Sequence, residues 1–169
     1  LGVALPLVFS QLIGITVPFL IFSNLDVESL PAIGALLSSS FFITLIFLAL
    51  AFFIAILQDD KAKGFGLSIT IWFLLALLYD GFILGISVFF ADYPLELPLL
   101  IISSFNPIDL ARIFCLIHLD ASALMGYTGA IFQDYFQSIT GSVVSLTALT
   151  LWTLMPLSGA LYKFKKKDF

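Results

Sequence analysis

The sequence predicts an all-α fold, a polytopic bundle of transmembrane helices, and three observations predict it. Hydrophobic residues make up 61% of the chain and charged residues only 11%, where a soluble domain carries about a quarter charged residues. Four long stretches hold either no charge or a single one, and each meets the ~20 apolar residues needed to cross a hydrocarbon core of about 30 Å. The basic residues gather where two of those stretches begin and end. Unpaired backbone groups are not tolerated in lipid, so the stretches must be helical.

The first span is 3–22, "VALPLVFSQLIGITVPFLIF", and the second is 33–57, both without charge. The acidic connection "SNLDVESLPA" lies between them. Lys61 and Lys63 fall in a short loop before the third span, 65–90, whose one charge is Asp80. This span is the longest, so it is expected to tilt or protrude. The fourth span, 138–161, is uncharged and is followed by a basic tail at 162–169 ending "KFKKKDF", which reads as a stop-transfer anchor at an anionic leaflet. Two crossings separate the lysine clusters, so both fall on one side, and the positive-inside rule makes that side cytoplasmic. The C-terminus is then cytoplasmic, and 23–32 and 91–137 face outward.

The 91–137 segment is too long for a turn and too apolar for a solvated loop. "ADYPLELPLLIISSF" contains two prolines, and "NPIDLARIFCLIHLD" starts a new helix. Asn106 can cap it, Pro107 suits its first position, and Asp109 lies in the first turn where the dipole favours an anion. Asp109 and Arg112 are three apart and can pair on one face. "DASALMGYTGAIFQDYFQ" follows, with Asp120 as its cap and Gly126 within it. Such short apolar helices lie in the interface or dip in and return as a re-entrant hairpin.

Asp80 is the principal site candidate. A carboxylate at mid-span costs roughly 2.5–3.5 kcal/mol against lipid, so it must face other helices or water. Three roles fit it: a structural hydrogen bond, a place in a substrate or gating pathway, and a proton relay. Its prospective partners are hydroxyls, Ser38, Ser39, Ser40 and Thr44 on the second span and Thr147, Thr150 and Thr153 on the fourth. Gly81 and Gly85 form a GxxxG on a neighbouring face, where another helix can approach closely. No second carboxylate is expected to join Asp80 in the membrane. Cys115 and His118 share a helical face, with Met125 beyond; thiolate, imidazole and thioether suit Cu(I), although packing is the simpler role.

Several function classes recede. A net charge of −4 lacks the basic stripe that phosphate backbones require, so nucleic acid is not an expected partner. The single cysteine excludes an internal disulfide framework. There is no HExxH, GxSxG or Walker A motif, so any ATP-driven step needs another polypeptide. The chain opens at Leu1 without methionine or a basic leader and reads as lacking an N-terminal part.

"NPIDLARIF" with "LDASALMGYTGAIFQDYF", and "LYD" at 78–80, resemble the permease subunits of the ABC-2-type systems that mature nitrous oxide reductase. The likeness runs from the first span to the lysine tail and is most specific over 106–132. It implies a non-enzymatic subunit of the bacterial inner membrane with six helices, this chain holding the last four. It also implies a re-entrant element before the last span. The partners it implies are a second permease copy, a cytoplasmic ATPase that carries ATP and Mg, and a periplasmic maturation protein. No cofactor would be bound by this chain, and copper or sulfur would be cargo. The rival readings are an ABC-2 exporter of a lipid, drug or gliding-motility component, and a membrane assembly scaffold that transports nothing.

Overall fold

The computed structural model describes residues 2–22, 30–93, 95–118 and 139–166, and no strand occurs among them. The order is α1 (Ala4–Phe22), α2 (Leu30–Leu57), α3 (Lys61–Phe73), a π-helical turn (Leu74–Leu78), α4 (Tyr79–Phe89), α5 (Glu96–Ser104), α6 (Pro107–His118) and α7 (Ile139–Lys166). Among the described residues, four units are long and apolar enough to cross a membrane: α1, α2, the continuous run Lys61–Phe89, and α7. The protein is a polytopic α-helical bundle. Large apolar side chains such as Phe9, Phe52, Trp72, Phe82 and Leu151 point outward, as expected of helices that are hydrophobic all round.

Lipid tails are as apolar as leucine, so helices in a bilayer associate through close packing and polar contacts rather than hydrophobic burial. The core follows that rule. Ile46 of α2 and Leu149 of α7 close around Leu110, Ala111 and Ile113 of α6. Small residues let the long helices approach: Ala35 and Ala49 on α2 and Ala160 on α7 are buried. A Cβ added at Gly159 would lie 2.9 Å from the ring of Phe53. Helix α1 packs on α2, with Gln11 Nε2 donating to the Ser40 carbonyl at 3.3 Å and to Thr44 Oγ1.

The third span starts earlier than the apolar run at 65–90. Asp60 caps α3, its carboxylate accepting from the Ala62 amide at 2.8 Å. Lys61 and Lys63 therefore belong to the first turn of the helix instead of a loop. Helix α7 likewise continues past 161 to Lys166. Lysine stems can lie along the helix while their ammonium groups reach water, and Lys166 Nζ rests 4.5 Å from the Tyr162 ring centroid. The Phe53–Gly159 contact, and that of Gly64 with the Ile54 and Gln58 side chains, bring both lysine clusters to one end of the bundle.

Helices α5 and α6 form a hairpin that enters the bundle and leaves it on the same side. The π turn lies at the middle of Lys61–Phe89. Asn106, at the tip between α5 and α6, bonds to Leu75 within that turn, and Arg112 bonds to Asp80. Five residues along the span are matched by six along α6, about 7.5 and 9 Å at 1.5 Å per residue. Helix α6 thus climbs alongside α4 from mid-span, and α5 descends to the same tip.

Candidate functional site

The site is a polar clamp between the hairpin and the one span whose helix is interrupted. In the π turn, the Tyr79 N–H reaches back five residues to the Leu74 carbonyl. An α-helix would have paired that N–H with the Leu75 carbonyl, which here accepts from Asn106 Nδ2 at 2.7 Å. A side chain inserted into the helical ladder is a recognised cause of such a local bulge. Asn106 is fully buried, and its Oδ1 accepts from the Ile108 amide at 3.0 Å, capping α6. One side chain thus supplies a donor to the span and an acceptor to its own helix.

Two further contacts complete the clamp. The Tyr79 hydroxyl donates to the Ile102 carbonyl of α5 at 2.5 Å, so the span grips both arms of the hairpin. Arg112 makes a bidentate pair with Asp80, Nη1 to Oδ2 at 2.7 Å and Nη2 to Oδ1 at 2.9 Å. The planar fork of arginine fits a carboxylate in this way, which fixes orientation as well as charge.

Nη2 of Arg112 also donates to Asp109 Oδ1 at 2.5 Å. The expectation that no second carboxylate joins Asp80 is therefore corrected: the hairpin carries Asp109 to the same guanidinium. Spacing along one span could not reveal it, because Asp109 arrives from another element. The Asp109 side chain is 2% exposed, and its Oδ2 is buried without a hydrogen-bond partner. Burial, and then the neighbouring Asp80 carboxylate, push the Asp109 carboxyl up to about 7 despite the pull of Arg112.

The hydroxyls proposed as partners of Asp80 are engaged elsewhere or face elsewhere. Ser38 and Thr44 bond to carbonyls of α2, and Thr147, Thr150 and Thr153 to carbonyls of α7. The hydroxyls of Ser39 and Ser40 are buried and unbonded. Back-bonding of this kind is what Ser and Thr do when no stronger partner competes, and Arg112 is the stronger partner for a carboxylate. Cβ atoms built on Gly81 and Gly85 meet nothing within 4 Å; together with Phe82, Ile86, Phe89 and Phe90 they line an open apolar groove.

Cys115 and His118 follow on α6. His118 Nδ1 lies 2.8 Å from the Phe114 carbonyl, and Nε2 lies 3.4 Å from Ser142 Oγ on α7. Burial raises the Cys115 thiol above its ordinary range, which disfavours the thiolate that a metal would need. Asp120, Met125 and Gly126 lie outside the described residues, as does the second helix expected at 120–137. Tyr79 and Leu75 were not legible as members of the site: a tyrosine in an apolar run carries no signal of its contact, and a π turn has no sequence signature.

No family model matches the chain. A similar protein is "Probable ABC transporter permease protein NosY" of Pseudomonas aeruginosa, 32% identical over 140 residues, which make up 82% of this chain and 49% of that protein. The chain spans about half the length of the curated relative it matches.

Proposed function

On the premise that this chain is NosY-like, a relative of the ABC transporter permeases, we propose that it works as the membrane-spanning subunit of an ATP-driven ABC-2-type transporter. ATP and Mg belong to a cytoplasmic ATPase partner at the lysine end of the bundle, with the C-terminus on that inner face of the bacterial inner membrane. A second permease copy completes the membrane unit. The opposite end, where α5 enters, engages a periplasmic maturation protein. The cargo is the copper or sulfur species that nitrous oxide reductase assembly consumes.

The observation that carries this reading is the clamp. An ATP-driven transporter has to carry a change at one membrane face to the other, and that requires an element with two arrangements joined to a rigid lever. A π turn at mid-span, held by a side chain of the re-entrant hairpin, is such a joint. Movement of α3 relative to α4 would be felt by α5 and α6 through Tyr79, Asp80 and Leu75. The outer edge of the Asp80–Arg112 pair is open, with side chains 33% and 46% exposed. A charge pair cannot face acyl chains at that depth, so this edge faces water or another protein. That fits a conduit or a subunit boundary rather than a lipid-facing surface.

The test is ATPase activity of the reconstituted permease–ATPase complex, with and without the periplasmic protein. Coupled transport requires the periplasmic protein to change turnover, and Asp80→Asn to reduce that change by about fivefold or more. Turnover indifferent to both would favour an assembly scaffold.

A further inference from the structure

We propose that Asp109 is a proton-binding site of the membrane domain, sharing the Arg112 guanidinium with Asp80. The inference stands on the geometry of the cluster and does not depend on the cargo. Arg112 brings one positive charge to two carboxylates, bidentate to Asp80 and through one nitrogen to Asp109. With both carboxyls ionised the cluster carries a net negative charge, and two carboxylates at one site cannot both ionise easily. The two are not equivalent. Asp80 has both oxygens met by guanidinium donors, whereas Asp109 has Oδ2 buried and unmet. A proton on Oδ2 removes the charge that no donor satisfies and leaves Arg112 and Asp80 as a neutral pair.

Among the described residues, no other element packed around Asp109 offers a competing charge. Helix α2 contains no titratable residue, and neither does the π turn. The titratable groups of α7 are Tyr162, Lys163, Lys165 and Lys166, all at its far end. Helix α5 has only Glu96, at its first position, and beyond Arg112 α6 itself has Cys115 and His118, about 1.7 and 2.5 turns from Asp109. From α4, Tyr79 and Asp80 face the group, and Tyr79 is committed to the Ile102 carbonyl. Among the described residues, the proton balance of the site is therefore set by Asp109, Asp80 and Arg112, with the neighbouring Asn106 amide favouring the ionised form of Asp109. Losing the proton places a second negative charge on the guanidinium that anchors α6 to α4, so the clamp is tightest when Asp109 is protonated.

The experiment is an infrared pH titration of the full-length permease reconstituted in lipid nanodiscs, following the carbonyl stretch of protonated carboxyl groups from about pH 4 to about pH 9. The expected result is a band that disappears with a midpoint near neutrality and shifts on carboxyl isotope labelling of aspartate. Asp109→Asn should remove it. Asp80→Asn should lower the midpoint by at least one pH unit, about tenfold in proton affinity, because the second carboxylate is gone. The label assigns the band to an aspartate without any substitution, so the proposal remains testable if a variant fails to assemble. A wild-type spectrum without a near-neutral aspartic acid band would overturn it. So would a band that survives Asp109→Asn, or a midpoint that ignores Asp80→Asn.

Discussion

Asn106 Nδ2 donates to the Leu75 carbonyl at 2.7 Å across 31 positions of sequence, joining the tip of a re-entrant hairpin to the middle of a membrane span. The same amide group caps α6 through its oxygen. These two duties can be separated by substitution.

Asn106→Asp keeps the capping oxygen and loses the donor, leaving the Leu75 carbonyl unpaired; Asn106→Ala loses both. A buried unsatisfied carbonyl costs about 1–3 kcal/mol, and loss of a cap costs about 1 kcal/mol more. Unfolding midpoints in mixed micelles should therefore rank wild type above both variants. Hydrogen exchange in the first turn of α6 should rise in Asn106→Ala only.

The Asp80–Arg112 pair predicts a non-additive cycle. Arg112→Gln strands two carboxylates, and Asp80→Asn strands none. Removing one partner of a well-shielded pair costs about 3–5 kcal/mol, and the partial exposure here puts the expectation for Arg112→Gln at the low end or below. The double variant Asp80→Asn/Arg112→Gln should be more stable than Arg112→Gln alone. Additive losses in a denaturant titration would mean that the pair contributes nothing as a unit.

Tyr79→Phe removes one hydrogen bond, to the Ile102 carbonyl, and little packing. A loss of about 0.5–1.5 kcal/mol is expected. Hydrogen exchange should increase in α5 while α7 stays unchanged. Equal effects in both helices would point to global loosening instead of release of one arm.

Glycines on two spans should behave oppositely. Gly159→Ala drives a Cβ to 2.9 Å from Phe53, and such overpacking typically costs about 1–3 kcal/mol. Gly81→Ala and Gly85→Ala meet open space and should leave the fold unchanged or raise its stability by up to about 1 kcal/mol through helix propensity. Weakened self-association in either of the latter, measured by crosslinking in membranes, would identify the groove as a contact between copies.

Stability should also depend on pH through Asp109. Its carboxyl is held up to about 7 in the folded bundle, above the ordinary carboxyl range, so the folded state binds more protons than the unfolded one. By linkage, stability falls as pH rises from that ordinary range through about 7 and levels off above it. Asp109→Asn should flatten this slope in a thermal-denaturation series.

What the sequence determined by itself was the class and the layout along the chain. Four apolar runs long enough for a bilayer leave no alternative to helices, because hydrocarbon offers no partner to a free amide. The Asn106–Pro107–Asp109 helix start was legible because capping is chemistry between near neighbours. The Asp109–Arg112 pair was legible for the same reason, since three residues apart on a helix is an adjacent position. The tertiary structure decided everything that links elements. It gave Asp80 an arginine in place of a hydroxyl, put Asp109 on that same arginine, and set Asn106 against a carbonyl freed by a π turn. The Asp80–Arg112 and Asn106–Leu75 contacts could not be read from spacing, because their partners are about thirty residues apart and one of them is a backbone atom. In this helix the register shifts by one hydrogen bond, and the carbonyl it frees is met by a donor from another element.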